Sequence, residues 1–212
     1  MTGNNINYQK ELDKILEDER NRGKTLFLHS CCAPCSSYVL TYLRSFFRIT
    51  VFYYNPNITD IDEYRLRVEE QKRLIVALNE QISGQEIPSA YPIKVIEGDY
   101  EPDTFLKAVK GLENEPEGAG RCRVCFGLRL LRTLEEALVA KADYFATTLT
   151  ISPLKNARVI NEIGEQLSKG KPIEWLPSDF KKKDGYKQSI ELSKKYDLYR
   201  QNYCGCEFSK EK

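Results

Sequence analysis

Seven cysteines in three tight groups are the residues here whose type and spacing could do chemistry. They are Cys31, Cys32 and Cys35, then Cys122 and Cys125, then Cys204 and Cys206, in a chain of 212 residues. A cysteine that serves only packing stands alone in an apolar segment, and none of these does. Clustered thiols in a reducing compartment read as metal or redox chemistry. Cys122-Arg-Val-Cys125 has a chelating spacing, used alike by zinc, iron–sulfur clusters and thiol–disulfide exchange. In Cys31-Cys32-Ala-Pro-Cys35 the adjacent side chains point different ways and rarely serve one tetrahedral ion together. Cys204-Gly-Cys206 shares that property less strictly. Two neighbouring metal sites therefore fit better than one. A 4Fe–4S cluster takes four thiolates and an ion with an open position about three protein ligands, which together use every cysteine. Two other assignments stand beside this one. Cys31 to Cys35 could form a redox-active turn of thioredoxin type, with disulfide chemistry. Cys122, Cys125, Cys204 and Cys206 could form a structural zinc knot, which leaves the first triplet unexplained.

The elements that must hold these groups alternate between strand and helix. Thr25 to His29 is a short apolar strand. A helix follows from about Pro34 to Leu43, with Pro favourable at a first helical position and the positive helix end facing the sulfurs. Ile49 to Tyr54 is a β-branched and aromatic strand, and Asn55-Pro56-Asn57 ends it. Asp60 caps a helix to about Ile82. Pro92 to Glu97, Asp143 to Thr148 and Lys171 to Leu176 read as further strands. Helices are expected over Tyr8 to Arg22, Thr104 to Lys110, Cys122 to Ala140, Ser152 to Leu167 and Lys183 to Tyr196. This alternation predicts an α/β fold with a parallel sheet. Residues 24–212 read as a single α/β metal-binding catalytic domain, with residues 1–23 as an N-terminal helical extension. Ligands of such sheets sit beyond the carboxyl ends of the strands, where the cysteine turn, the Asn55–Asn57 loop, Gly98-Asp99 and Thr147–Ser152 should meet.

Composition sets the outer limits. Net charge is +1, so a nucleic-acid partner would need local basic clusters rather than a global field. No apolar run approaches the roughly 18 residues of a membrane span. The polar stretch Met1 to Asn21 lacks the apolar region of a signal peptide, which points to a cytoplasmic protein. The turn at Ser30 to Ser37 contains no glycine, so it cannot cradle phosphate as the loop of an ATP pyrophosphatase does.

The segments LHSCCAPCSS, YYNPNI, RCRVCFGLRL, TTLTISPLKN and DFKKKDGY…YRQNYCGCEFS together resemble the QueH family of epoxyqueuosine reductases, from about Lys24 to Phe208. The resemblance implies a three-layer α/β/α domain similar to the adenine nucleotide alpha hydrolase (HUP-like) fold, with a cysteine-bearing C-terminal extension. It implies reduction of epoxyqueuosine to queuosine, with loss of water, at the wobble position of tRNA with a GUN anticodon. It further implies a cobalamin-independent oxidoreductase with a 4Fe–4S cluster beside a mononuclear iron or zinc, fed by an electron donor that the sequence does not name. Some members have aspartate where this chain has Cys35, and sulfur there favours a softer metal. On this basis the cluster is expected on Cys122, Cys125, one of Cys31 and Cys32, and one of Cys204 and Cys206. Cys35 and the remaining two would hold the second metal.

Removing an epoxide oxygen needs two electrons and two protons. His29, the only histidine, is a candidate proton donor, as are Asp99 and Tyr100 after the third strand. Each also has an ordinary reading as a packed or rim residue. For tRNA, Phe180-Lys181-Lys182-Lys183-Asp-Gly-Tyr186 interleaves lysines with aromatics, which suits phosphates and unstacked bases. Lys155 and Asn156 are expected near the anticodon base. Arg121 and Arg123 form another basic cluster, and Arg65, Arg67, Lys72 and Arg73 read as a solvated helix face. Two other classes remain as alternatives: an Fe–S or thiol-dependent tRNA sulfur-transfer enzyme, and a zinc-stabilised RNA-binding protein.

Overall fold

The computed structural model describes residues 6–84 and 89–210; the first five residues of the expected N-terminal extension lie outside it. Five parallel strands form one sheet in the order β3-β2-β1-β4-β5. They are β1 (Thr25–His29), β2 (Arg48–Tyr53), β3 (Lys94–Glu97), β4 (Tyr144–Thr147) and β5 (Glu174–Trp175). The helices are α1 (Tyr8–Glu17), α2 (Ala33–Leu43), α3 (Ile61–Ser83), α4 (Pro102–Ala108), α5 (Gly120–Val139), α6 (Ala157–Ser168) and α7 (Gly185–Lys195).

Strand side chains alternate between faces, and the two faces build two cores. Leu26 and Leu28 of β1 pack with Ile49, Val51, Val39 and Leu40, joined by Leu74 and Leu78 of α3 and by Leu12 and Leu16 of α1. Phe27 of β1 packs on the other side with Phe52, Phe145 and Trp175, against Phe126, Leu130 and Leu134 of α5 and Ile160 of α6. This is the three-layer, all-parallel arrangement expected from the alternating pattern. The chain winds outward from β1 in one direction and resumes at β4 on the other side. The β1–β4 seam is thus the point where strand order reverses, and a crevice opens there. Register pairs His29 with Thr147 at its end. At its other end Asp143 accepts from the Thr25 amide at 2.8 Å and the Thr25 hydroxyl at 2.6 Å.

Some boundaries differ from the sequence expectation. The first helix ends at Glu17, because Asp18 turns to extended geometry and caps a separate 3-10 turn over Glu19–Asn21. The helix after β4 starts at Ala157 rather than Ser152. Residues 148–151 make a 3-10 turn, and the Asn156 side chain caps α6 by accepting from the amides of Arg158 and Val159. The fifth strand pairs over two residues only. The Asp60 cap of α3 forms as expected, accepting from the amides of Asp62 and Glu63.

Candidate metal centre

Beyond the carboxyl end of β1 the chain turns into α2, with Cys32 as the extended residue before the helix and Pro34 in its first turn. This places Cys31, Cys32 and Cys35 together, their three sulfurs all within 4.8 Å of one another. Cys31 and Cys32 sulfurs are 3.8 Å apart, and the Cys31 amide donates to the Thr148 hydroxyl at 3.3 Å. Three thiols this close share protons unevenly. Cys32 and Cys35 donate to the Cys31 sulfur and pull its pKa well down, while the same contacts push Cys32 up to about 12 and Cys35 well above its usual value. The arrangement favours thiolate character on Cys31, and binding of a cation would release protons from the triad.

The other four cysteines come from distant parts of the chain. Cys122 and Cys125 occupy the first turns of α5, and Cys204 and Cys206 come from the C-terminal tail. All four line one small cavity of about 20 Å³. Burial pushes the Cys125 thiol up to about 12 and also raises that of Cys206. Cys31, Cys32 and Cys35 thus gather on one turn and the other four line one cavity, with Cys204 also lining the open space beside the triad.

The tail reaches this place because α3 holds it. Arg67 is 2% exposed, pairs with Glu63 at 2.6 Å, and donates to the carbonyls of Tyr203 and Cys204. Arg73 donates to the carbonyls of Tyr196 and Asp197, and Glu70 accepts from the Tyr199 amide. The face expected to be solvated is in part a strap for the tail. Gly205 fits beneath it with φ +98°, where a Cβ would lie 2.7 Å from Ile58 and 3.1 Å from Arg67, so glycine alone is unstrained between the two cysteines. Asn57, from the loop after β2, donates to the Cys204 carbonyl and accepts from Arg129.

A larger cavity of about 870 Å³ opens beside the triad, lined by Cys31, Cys32 and Cys35 and by tail residues Arg200 to Cys204. Its size suits a nucleoside. Cys204 and Lys155 line both cavities. Burial works against the Lys155 ammonium, but the sulfurs of Cys204, Cys31 and Cys35 outweigh it and raise its pKa. Lys155 therefore stays protonated where the two sulfur groups meet the open space.

Of the other residues singled out from sequence, Tyr186 also lines this cavity. Lys155, Asn156, Lys181 and Lys182 share an adjoining groove of about 710 Å³. Lys181 pairs with Asp179. Lys183 points elsewhere and pairs with Asp13 at 2.7 Å. His29 is fully buried and lines neither cavity. Its Nε2 donates to the Tyr54 carbonyl at 3.0 Å, so its Nδ1 accepts from the Thr147 hydroxyl at 2.8 Å. Burial, then the charge of Arg129, lowers its pKa to about 3. Asp99 is exposed beside Arg132, and the Tyr100 hydroxyl donates to the Thr59 carbonyl; neither lines the cavity. Arg121 is buried and ties down the loop before α5 through the carbonyls of Leu112, Glu113 and Glu115.

Of two residues central to this arrangement, Arg129 escaped sequence reasoning and Arg67 reads from sequence as part of a solvated face. Arg129 follows Cys125 by one helical turn among Phe126 and Leu130, and Arg67 lies between Tyr64 and Val68. A cation on the apolar stripe of a helix is the signal that could have found them.

Residues 26–212 match the family model described as Epoxyqueuosine reductase QueH. A protein of that name from Streptococcus pyogenes serotype M1 is 42% identical over 207 residues, covering 96% of this chain and 78% of its own length. One from Staphylococcus epidermidis is 41% identical, covering 99% and 87%. One from Thermotoga maritima is 32% identical, covering 87% and 90%.

Proposed function

The chain belongs to the epoxyqueuosine reductase QueH family, and from that premise we propose that it reduces epoxyqueuosine to queuosine at the wobble position of tRNA. Two electrons and two protons enter, two C–O bonds break, and the epoxide oxygen leaves as water. One observation carries the reading. The nucleoside-sized cavity has the Cys31, Cys32 and Cys35 thiols in its wall, and it meets the four-cysteine cavity at Cys204 and Lys155, with Glu117, Leu154 and Ser209.

The cofactors of this reading are a 4Fe–4S cluster on Cys122, Cys125, Cys204 and Cys206, and a mononuclear iron or zinc on Cys31, Cys32 and Cys35. The donor sets fit both groups. Four thiols line one cavity in the first case, and three close sulfurs stand beside open space in the second. A buried guanidinium, Arg129, lies near the four with its Nε and Nη1 unpartnered, as suits an anionic neighbour. When bound, such groups supply electrons one at a time and a Lewis acid that polarises a C–O bond.

The chain's own residues do the rest. Lys155 Nζ holds a proton beside the leaving oxygen and delivers it there. His29, with both ring nitrogens engaged, braces the β1–β4 seam behind the triad. Tyr186 and the tail residues Arg200 to Tyr203 enclose the nucleotide. Lys181, Lys182 and Asn156, in the adjoining groove, take the phosphates on either side. The protein works in the cytoplasm with an external electron donor. The test is expression in a bacterium that accumulates epoxyqueuosine for want of its own reductase. Queuosine appearing in the tRNA supports the reading; tRNA still carrying only epoxyqueuosine contradicts it.

A further inference from the structure

Arg129 is 1% exposed. Its Nη2 donates to Asn57 Oδ1, while Nε and Nη1 have no partner. Among the described residues no carboxylate forms an ion pair with it. A buried, unpaired charge is strongly unfavourable, so a fold that keeps one needs an opposing charge nearby. Burial lowers the pKa of this guanidinium, and the sulfurs of Cys125, Cys204 and Cys31 more than offset it. These three belong to both sulfur groups. Arg129 lines neither cavity, so it does not touch a substrate there.

We propose that Arg129 is a positioning residue: a fixed positive charge between the two sulfur groups that makes the cluster held by Cys122, Cys125, Cys204 and Cys206 easier to reduce. This rests on the cofactor reading given above. Electron uptake makes a thiolate-bound cluster more negative, and a neighbouring cation favours the more negative form. The unpartnered Nε and Nη1 are donors for sulfur. Asn57 fixes the guanidinium and also binds the Cys204 carbonyl, so one side chain sets the distance between charge and ligand.

The experiment compares wild-type protein with Arg129→Gln and Arg129→Lys, each reconstituted without oxygen and titrated with dithionite under EPR. In Arg129→Gln the midpoint potential of the cluster shifts to more negative values. Arg129→Lys restores most of the wild-type value. Turnover of Arg129→Gln falls in kcat with little change in KM for tRNA. A loaded Arg129→Gln protein with the wild-type midpoint overturns the inference. Where Arg129→Gln holds no cluster, Arg129→Lys decides: recovered loading at near wild-type potential supports the charge role, and loading no better than the glutamine variant overturns it. Wild-type protein that contains only zinc would overturn the cofactor reading itself, which separates the two failures.

Discussion

The Arg67 guanidinium donates to the Cys204 carbonyl at 3.2 Å, across 137 residues of chain. Through this contact a helix on one layer of the fold places a sulfur from the C-terminal tail beside two from α5. Arg67 also lies over the Tyr203 ring at 5.2 Å and pairs with Glu63. Among the described residues of the tail the one regular element is a 3-10 turn at Glu207–Ser209, so the position of the tail depends on these attachments.

Arg67→Met should therefore release the tail without unfolding the sheet. Breaking a buried ion pair from one side costs about 3 kcal/mol. The expected result is faster proteolysis between Tyr196 and Cys206 and a marked loss of iron and sulfide per chain, with far-UV circular dichroism close to wild type. Undiminished iron and sulfide content would show that the tail has other sufficient anchors.

Lys155→Met removes the proton-bearing group between the two cavities. Loss of a positioned acid costs on the order of 10²-fold or more in rate. Turnover should fall by that amount while the absorbance of the bound cluster persists. His29→Gln is the contrasting variant. It should lose stability and keep most turnover per loaded molecule, because His29 lines neither cavity. Wild-type turnover by Lys155→Met would remove Lys155 from the mechanism.

Lys182 is exposed on the groove wall, whereas Lys183 is paired with Asp13 away from it. Lys182→Ala should weaken tRNA binding and reduce the slope of log affinity against log salt by about one. Lys183→Ala should leave that slope unchanged. Equal effects of the two substitutions would count against the groove as the tRNA path.

Asp143 offers a test of the fold alone. Its carboxyl is penalised by burial, yet hydrogen bonds from the Thr25 hydroxyl and amide, aided by the charge of Lys24, hold its pKa below the usual value. A carboxylate with a lowered folded-state pKa adds stability above its unfolded pKa of about 3.9, and that contribution is lost as pH falls through the folded value. Asp143→Asn should cost about 1 kcal/mol near neutral pH by urea unfolding. The gap to wild type should narrow as pH falls below the ordinary carboxylate range. A gap independent of pH would show that charge plays no part there.

Much of this architecture is legible in local sequence. The strand Thr25–His29, the following helix, the Asp60 cap and the alternation of elements all follow from patterns within a few residues of one another. The gathering of Cys31, Cys32 and Cys35 does as well, because their spacing places them on one turn. What brings Cys204 and Cys206 to Cys122 and Cys125 does not, although the zinc-knot alternative grouped the same four. It depends on Arg67, Asn57 and Gly205, whose contacts between tail and body span well over a hundred residues. The start of α6 was misplaced for a local reason: Ser152-Pro153 is a good helix opening, but the Asn156 side chain makes the cap. Arg129 stayed hidden because a lone arginine among Phe126 and Leu130 has no meaning until the sulfurs around it are known.

The most direct measurement is mass analysis of the wobble nucleoside after tRNA bearing epoxyqueuosine is incubated with anaerobically reconstituted protein and a chemical reductant. The account predicts loss of one oxygen atom from that nucleoside, to give queuosine, only when both protein and reductant are present. Unchanged epoxyqueuosine with protein that carries its full complement of iron and sulfide would contradict it.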